Sequence, residues 1–310
     1  MKKKIYLEFL FLVIIGALTT LSLPPYNFLL INFLTFSLLF IFIFQKKKST
    51  NKKNPFLYGW LYGFGYFLTN LYWITISLTF DGNFDFLIPV ALIVIPSFLA
   101  VFYGLITYFF FLIRVRNPLS NLFLFSLLFG LIEFFRGNIL TGFPWNLIAY
   151  SFSENLEILQ IISFIGTYGF NILCISFFVS PAIFILRENR IEVLVCIFFL
   201  LSPIFLFIIG SSKIESFKSL NIIKNDYKIR AVGSKIELDR FYKNSMTTEV
   251  INELIEISQP ELDVKTIFVW PEGIIPNTNQ LELKEFKSLF DEKFNKNHLL
   301  VIGINSYKKD

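Results

Sequence analysis

Residues 1–23 read MKKKIYLEFLFLVIIGALTTLSL, three lysines followed by an apolar stretch that runs up to a Pro24-Pro25 turn. Cleaved export signals and first membrane helices share this pattern. No small-x-small cleavage site precedes the prolines and six further apolar runs follow, so the stretch reads as a retained helix. The seven runs lie at roughly 5–23, 27–44, 56–80, 86–113, 119–136, 157–186 and 191–210, each near the length of about 20 residues that a helix needs to cross a bilayer. They are continuous rather than alternating, which argues for helices and against a membrane β-barrel.

Composition agrees. Of 310 residues, 55% are hydrophobic and 41 are Phe, with a mean hydropathy of +0.62; soluble domains carry about 45–50% apolar residues even with Gly counted. The net charge of +5 and pI near 9.0 would fit a nucleic-acid binder, but the charge is in the wrong place. Residues 1–210 hold 13 Lys/Arg and 8 Asp/Glu, whereas residues 211–310 hold 15 of each. If the N-terminus is cytoplasmic, the inside segments (residues 1–4, QKKKSTNKKN, RVRN and RENR) contain 12 of those 13 basic residues, and the outside turns only Arg136. This positive-inside bias predicts seven crossings and an extracytoplasmic tail, periplasmic in a Gram-negative cell with the protein in its inner membrane. Two cysteines, Cys174 and Cys196, make neither a disulfide framework nor a zinc site; both fall in apolar runs and read as small buried hydrophobes.

The pattern changes near Gly210-Ser211-Ser212, giving a membrane domain over 1–210 and a second domain over 211–310. In the second, KIRAVG (228–233), KTIFVW (265–270) and LLVIGI (299–304) are short β-rich runs. Between the first two, Met246, Val250, Leu254 and Ile257 share a helical face; between the last two, Leu283, Phe286, Phe290 and Phe294 do so. Alternating strands and helices predict a parallel sheet, with functional groups at the carboxyl ends of its strands. Three strands with no closing helix make an incomplete layer, so the chain reads as a fragment or a truncated reading frame.

Two constellations carry candidate chemistry. In FVWPEGIIP, Glu272 follows a buried strand and a rigid Pro271; it is either a general base whose apolar neighbours raise its pKa or an exposed turn acid after an ordinary strand. In GLIEFFRGNILTGFPWNLIAYS (130–151), Glu133 and Arg136 are spaced to pair on a helix near the end of the fifth run. The following TGFPWN places Gly142, Pro144 and Trp145 in a turn at interface depth. Here the readings are a substrate-binding patch of Glu133, Arg136 and Trp145, or an aromatic anchor beside a structural ion pair. His298, with no nucleophile motif near it, reads as a solvated loop residue, and the lysine loop at 46–53 as a topology signal.

Four stretches in order, LSLPPYNF, YGFGYFLTNLYWI, EFFRGNILTGFPWN and FVWPEGIIP, resemble the bacterial apolipoprotein N-acyltransferases over nearly the whole chain. The resemblance implies a polytopic α-helical membrane domain followed by an α/β nitrilase-like (αββα) domain, here incomplete, with a Glu-Lys-Cys triad. Glu272 would be its general base. It implies ping-pong transfer of an acyl chain from a membrane phospholipid, through a cysteine thioester, to the N-terminal amine of a diacylglyceryl-cysteine apolipoprotein. It calls for no cofactor, metal or nucleic acid, and for a monomer. There are departures. The family's Lys and nucleophilic Cys have no counterpart here: Lys308 and Lys309 follow the third strand too closely, and Cys174 and Cys196 lie in membrane runs. The first tail strand lacks the usual Gln and Ile-Pro, and Arg240-Phe241-Tyr242 stand where a Trp is expected. The rivals are a non-catalytic membrane protein whose tail binds lipid or lipoprotein, and a transporter, which the scarcity of ionisable residues in the runs disfavours.

Overall fold

The computed structural model of the chain describes residues 2–46, 53–80, 82–219, 226–234, 247–275 and 278–306. Each of the seven apolar runs holds a helix: α1 (Lys2–Thr19), α2 (Ile31–Gln45), α3 (Lys53–Leu71), α4 (Ile88–Ile113), α5 (Pro118–Asn138), α7 (Ile162–Leu186) and α8 (Arg190–Ser219), with a single turn, α6 (Leu156–Leu159), before α7. Five stretches among the described residues are long and apolar enough to cross a membrane: Ile5–Ser22, Gly82–Ile113, Pro118–Asn138, Ile162–Leu186 and Arg190–Ser219. Helix α2 is equally apolar but has 15 residues, and α3, at 19 residues, is diluted by Gly, Tyr and Asn.

The ends of the runs differ from the sequence reading for local reasons. The third run stops being α-helical at Leu71 and continues as a 3₁₀ segment, Tyr72–Phe80. In the sixth, Gly166 leaves the helix with φ of 70° and kinks α7. Helix α8 passes the expected boundary at 210 and runs to Ser219, because SSKIESFKS ends the hydropathy without ending helix propensity. The chain accordingly divides into units Met1–Leu220 and Asn221–Asp310 rather than at 210.

Helix α8 starts on a capping box. The Glu192 N–H donates to Asn189 Oδ1 at 3.0 Å, and Glu192 Oε2 accepts from the Asn189 N–H at 3.4 Å. The other carboxylate oxygen accepts from Asn117 Nδ2 at 2.7 Å, and Asn117 itself caps α5 through the Ser120 N–H at 2.8 Å. One buried acid thus ties two helix starts together. Arg114 acts similarly at the far end of α2, donating from Nη1 to the carbonyls of Ile43 and Phe44 at 2.7 and 3.1 Å.

In the first unit α3 packs between α1 and α4, and its glycines make this possible. A Cβ on Gly59 would lie 2.1 Å from the Tyr103 carbonyl oxygen of α4, and one on Gly65 2.1 Å from that of Val13 in α1. Small residues at helix crossings are how membrane helices gain contact when burial from water no longer drives association. The Gly59 N–H also donates to Thr107 Oγ1, which donates to the Pro55 carbonyl. Around this seam the core is aromatic: Phe129 meets Phe36, Tyr103 and Phe125 edge-on, with centroids 5.6, 5.2 and 5.0 Å away.

The second unit is a three-stranded parallel sheet in the order β1 (Lys228–Ala231), β2 (Thr266–Val269), β3 (His298–Val301), with Ile267 in register with Ile229 and Leu299. Helices α9 (Thr247–Ser258) and α10 (Lys287–Lys293) connect the strands and share one core with Phe268 and Trp270. Leu283, Phe286, Phe290 and Phe294 all join it, as the spacing predicts. On α9 the buried stripe is Val250, Ile251, Leu254, Ile255 and Ser258, and Ile257 is 39% exposed. At about 100° per residue, Ile257 falls roughly 90° from the centre of that stripe. Met246, Arg240-Phe241-Tyr242, Lys308, Lys309 and the lysine loop at 47–52 lie outside the described residues.

The α3–α4 seam gives a first test. Gly59→Val puts branched carbon against a carbonyl and should destabilise the protein in detergent by about 1–3 kcal/mol, the usual cost of overpacking. Gly82→Ala, with nothing within 4 Å of the new carbon, should leave the thermal midpoint unchanged.

Candidate functional site

Helix α5 places Glu133 and Arg136 on one face, and both are 1% exposed. Arg136 Nε donates to Glu133 Oε2 at 2.7 Å, and Nη2 contacts the same oxygen. The rest of the guanidinium turns to the backbone of the following turn: Nη1 donates to the Phe143 carbonyl at 2.7 Å and Nη2 to that of Trp145 at 2.9 Å. The Phe143 N–H returns a bond to the Arg136 carbonyl at 2.9 Å. The rings of Phe67 and Phe143 lie 5.4 and 5.8 Å from the guanidinium carbon. The geometry therefore joins Glu133, Arg136 and Trp145, with Trp145 attached through its carbonyl.

The turn needs that grip. Leu140, Thr141, Gly142 and Asn146 all have positive φ, costly for Leu and Thr and best tolerated by Gly and Asn. Clamped from below, the turn leaves the Trp145 ring 51% exposed and stacked on Trp73, with centroids 5.7 Å apart. Asn146 is held twice: its carbonyl accepts from the Tyr66 hydroxyl at 2.7 Å, and its Nδ2 donates to Asn70 Oδ1 at 2.9 Å. Burial, the largest effect on the nearby Tyr150 phenol, pushes its pKa above the ordinary tyrosine value.

In the second unit β2 delivers Trp270 into the core. Its N–H donates to the Val301 carbonyl at 3.0 Å, its indole N–H donates to Ser258 Oγ at 2.9 Å, and its ring lies 5.7 Å from Phe290. Pro271 and Glu272 follow. The Gly273 N–H then donates to the Gly303 carbonyl at 3.1 Å, and Gly273 takes a φ of 64°. A Cβ on Gly303 would lie 2.9 Å from Glu272 Cα and 3.0 Å from its Cγ, so the acid's stem rests on a glycine. The side chain is exposed. Its neighbours along the chain, Ile274 and Ile275, join the helix-side core.

The family model described as the apolipoprotein N-acyltransferase N-terminal domain matches residues 15–179, more than half of the chain. The chain belongs to the apolipoprotein N-acyltransferase family. Among its relatives, a Rhodopseudomonas palustris protein named apolipoprotein N-acyltransferase is 29% identical over 277 residues, covering 84% of this chain and 50% of that protein. The protein of that name from Rhizobium etli is 35% identical over 184 residues, 56% of this chain and 34% of the relative. That from Brucella melitensis is 27% identical over 277 residues, 84% of this chain and 51% of the relative. The chain spans about half the length of the Rhodopseudomonas and Brucella proteins.

The residues matched by the N-terminal domain model contain the Glu133–Arg136 clamp, the Trp145 turn and Cys174, which is fully enclosed. Cys196, in α8 past the matched residues, is buried too, and its Sγ donates to the Ser180 carbonyl at 3.0 Å. His298 corrects its reading as a solvated loop residue. It opens β3, where Nδ1 accepts from the Asn295 N–H at 3.1 Å, leaving Nε2 to donate to the Glu261 carbonyl at 3.0 Å. The sequence reading missed Trp73, Tyr66 and Asn70 as partners of the turn. Their only signal was the YGFGYFLTNLYWI stretch, which shows no contact until the end of α3 meets the turn after α5.

Removal of the guanidinium tests the clamp. Arg136→Met leaves the Glu133 carboxylate buried and unpaired and should cost about 3–5 kcal/mol. Glu133→Gln/Arg136→Met should recover part of this in thermal unfolding. It should not recover the turn, read as a changed tryptophan fluorescence once the Trp73–Trp145 stack is lost.

Proposed function

We propose that this chain supplies the membrane domain and the first part of a nitrilase-like domain for an enzyme that moves a fatty acyl chain from a phospholipid to the N-terminal amine of a diacylglyceryl-cysteine lipoprotein. The observation that carries this is the position of Glu272, just past the carboxyl end of the middle strand of a parallel sheet, in a chain of this family. In the proposed reaction Glu272 takes the proton of a cysteine thiol as the sulfur attacks the acyl ester carbon. The ester C–O bond breaks, and the lysophospholipid leaves with the proton returned by Glu272. The lipoprotein amine then attacks the thioester, the amide forms, and the thiolate is released and reprotonated. Neither Cys174 nor Cys196 supplies that thiol, because both are enclosed within α7 and α8.

An αββα sandwich is supported by the sheet itself. On the face away from α9 and α10, Ile229, Val269, Leu299 and Val301 are 73, 37, 55 and 47% exposed. Four apolar side chains in adjacent register would be covered by a second layer. Such cover would also bring apolar surroundings to Glu272. The rival reading, a non-catalytic lipid- or lipoprotein-binding protein, draws on the exposure of Glu272 as it stands.

Three measurements test the proposal, the first of which separates the two readings. In a full-length relative, replacing the glutamate equivalent to Glu272 with Gln should slow acyl-enzyme formation by about 10²–10⁴-fold, the usual contribution of general-base catalysis, while the thermal midpoint holds. A near-normal rate would favour the binding protein. The 310-residue chain alone, incubated with phospholipid carrying a labelled acyl chain, should acquire no hydroxylamine-sensitive label; one appearing would implicate Cys174 or Cys196. For topology, a cysteine at position 212 should label in intact spheroplasts and one at position 48 only after lysis. The reverse pattern would overturn the proposed orientation.

A further inference from the structure

The turn between α4 and α5, Arg114-Val115-Arg116-Asn117, is fixed from within the bundle. Asn121, fully buried on α5, accepts from the Val115 N–H on its Oδ1 at 3.1 Å. Its Nδ2 donates to the Val115 and Asn117 carbonyls, both at 2.7 Å. Arg114 and Arg116 flank the residue so held, and both line a pocket of about 460 Å³ whose other described walls are Phe44, near the end of α2, and Val115. Two of these four walls are cations and none is an acid.

Arg114 also caps α2, and the cap uses only part of it. Nη1 gives both its donors to the Ile43 and Phe44 carbonyls, and Nη2 gives one to that of Lys46. A guanidinium has five donors, so the Nε–H and one Nη2–H are left, on neighbouring nitrogens of a fork that takes a phosphate or carboxylate in pairs. Nε is not enclosed, and the Phe111 ring, 4.1 Å from the guanidinium carbon, sets the plane of the fork. Burial pulls the Arg114 pKa below the ordinary arginine value, and no neighbouring charge offsets it. Two acids at this end of the bundle are engaged elsewhere: Glu8 pairs with Lys46 at 2.7 Å, and Glu192 binds Asn117 and the N–H groups that open α8. Arg116 is exposed and has neither a hydrogen bond nor an ion pair among the described residues.

We infer that this pocket holds the phosphodiester of an anionic membrane phospholipid, with Arg114 donating through Nε and Nη2 to its free oxygens and Arg116 adding the second positive charge. A lipid fits better than a free phosphate ester because of what adjoins the pocket. Leu112, Ile113 and Val115 are 49, 55 and 56% exposed, an apolar belt beside the two cations on which acyl chains can lie. An anionic head group fits better than a zwitterionic one because an ammonium would find no acid among the described walls. The site is at the opposite end of α5 from the Trp145 turn. The inference rests on α4 and α5 crossing a bilayer. It uses neither the orientation of the chain nor any step of acyl transfer, so either reading can fail alone.

The test titrates the 310-residue chain, purified in detergent, with phosphatidylglycerol or phosphatidylcholine of the same acyl chains, and counts bound lipid by native mass spectrometry. One phosphatidylglycerol should bind about three- to tenfold tighter than phosphatidylcholine, the scale of charge-assisted hydrogen bonds at a half-exposed site. Arg116→Gln, which breaks no described contact within the chain, should weaken phosphatidylglycerol binding about two- to fivefold. Arg190→Gln, which removes a charge at the same end of the bundle but outside the pocket, should not. Arg114→Gln should abolish the preference between the two lipids. Should that variant fail to fold, the comparison of Arg116→Gln with Arg190→Gln still decides. Equal affinity for the two lipids, or equal losses from Arg116→Gln and Arg190→Gln, would overturn the site and leave diffuse charge attraction only. Displacement of the lipid by an equal concentration of soluble glycerophosphoglycerol would overturn the lipid assignment in favour of a free phosphate ester.

Discussion

A guanidinium buried inside a helical bundle must find partners for its donors from nearby, and Arg136 does so in a way that shapes one end of the molecule's helical unit. Glu133 provides the countercharge one helical turn away, and the carbonyls of Phe143 and Trp145 take the remaining donors. Burying an ion pair is at best a small net gain in stability, because desolvation opposes the Coulomb attraction. What the pair does instead is hold a backbone turn containing four residues with positive φ. That grip is what keeps Leu140 and Thr141 in the left-handed region.

The consequences spread through contacts that only this turn makes possible. Trp145 reaches Trp73, and Asn146 reaches Tyr66 and Asn70, so residues from the end of α3 and the turn after α5 form a single surface. Helix α3 can be there because glycines on two of its faces let α1 and α4 approach to backbone contact.

The sheet unit follows a different logic. Its helix side is closed by Trp270, Phe268 and the α9 stripe, with the indole N–H satisfied by Ser258. Arg230 reinforces the same corner by donating to the last carbonyls of α9, Ser258 and Gln259, at 2.7 and 2.9 Å. The opposite face keeps its apolar residues exposed, and Glu272 stands at the strand end between the closed side and the open one. An acid in that position is aimed by the sheet, through Gly273 and Gly303, rather than by its own packing.

Hydropathy and charge were enough to locate all seven apolar helices, because a run of Phe, Leu and Ile near bilayer length has few other ways to satisfy its backbone. Short β-rich runs alternating with helical spacing revealed the parallel sheet and most of its core, and the Glu133–Arg136 pair was legible as residues three apart on a helix. Helix ends were not: Tyr72–Phe80 and SSKIESFKS show that apolarity and helicity stop at different residues. Nor was the environment of Glu272, since whether neighbours such as Ile274 and Ile275 surround an acid or turn away depends on the far side of the sheet. The turn's partners were hidden for the same reason. Asn70 and Asn146 are 76 residues apart, and their hydrogen bond exists only because α3 and α5 end at the same level of the bundle. Sequence alone determines what a short segment must do about its own backbone and its own polarity; which distant groups share a cavity is decided by packing.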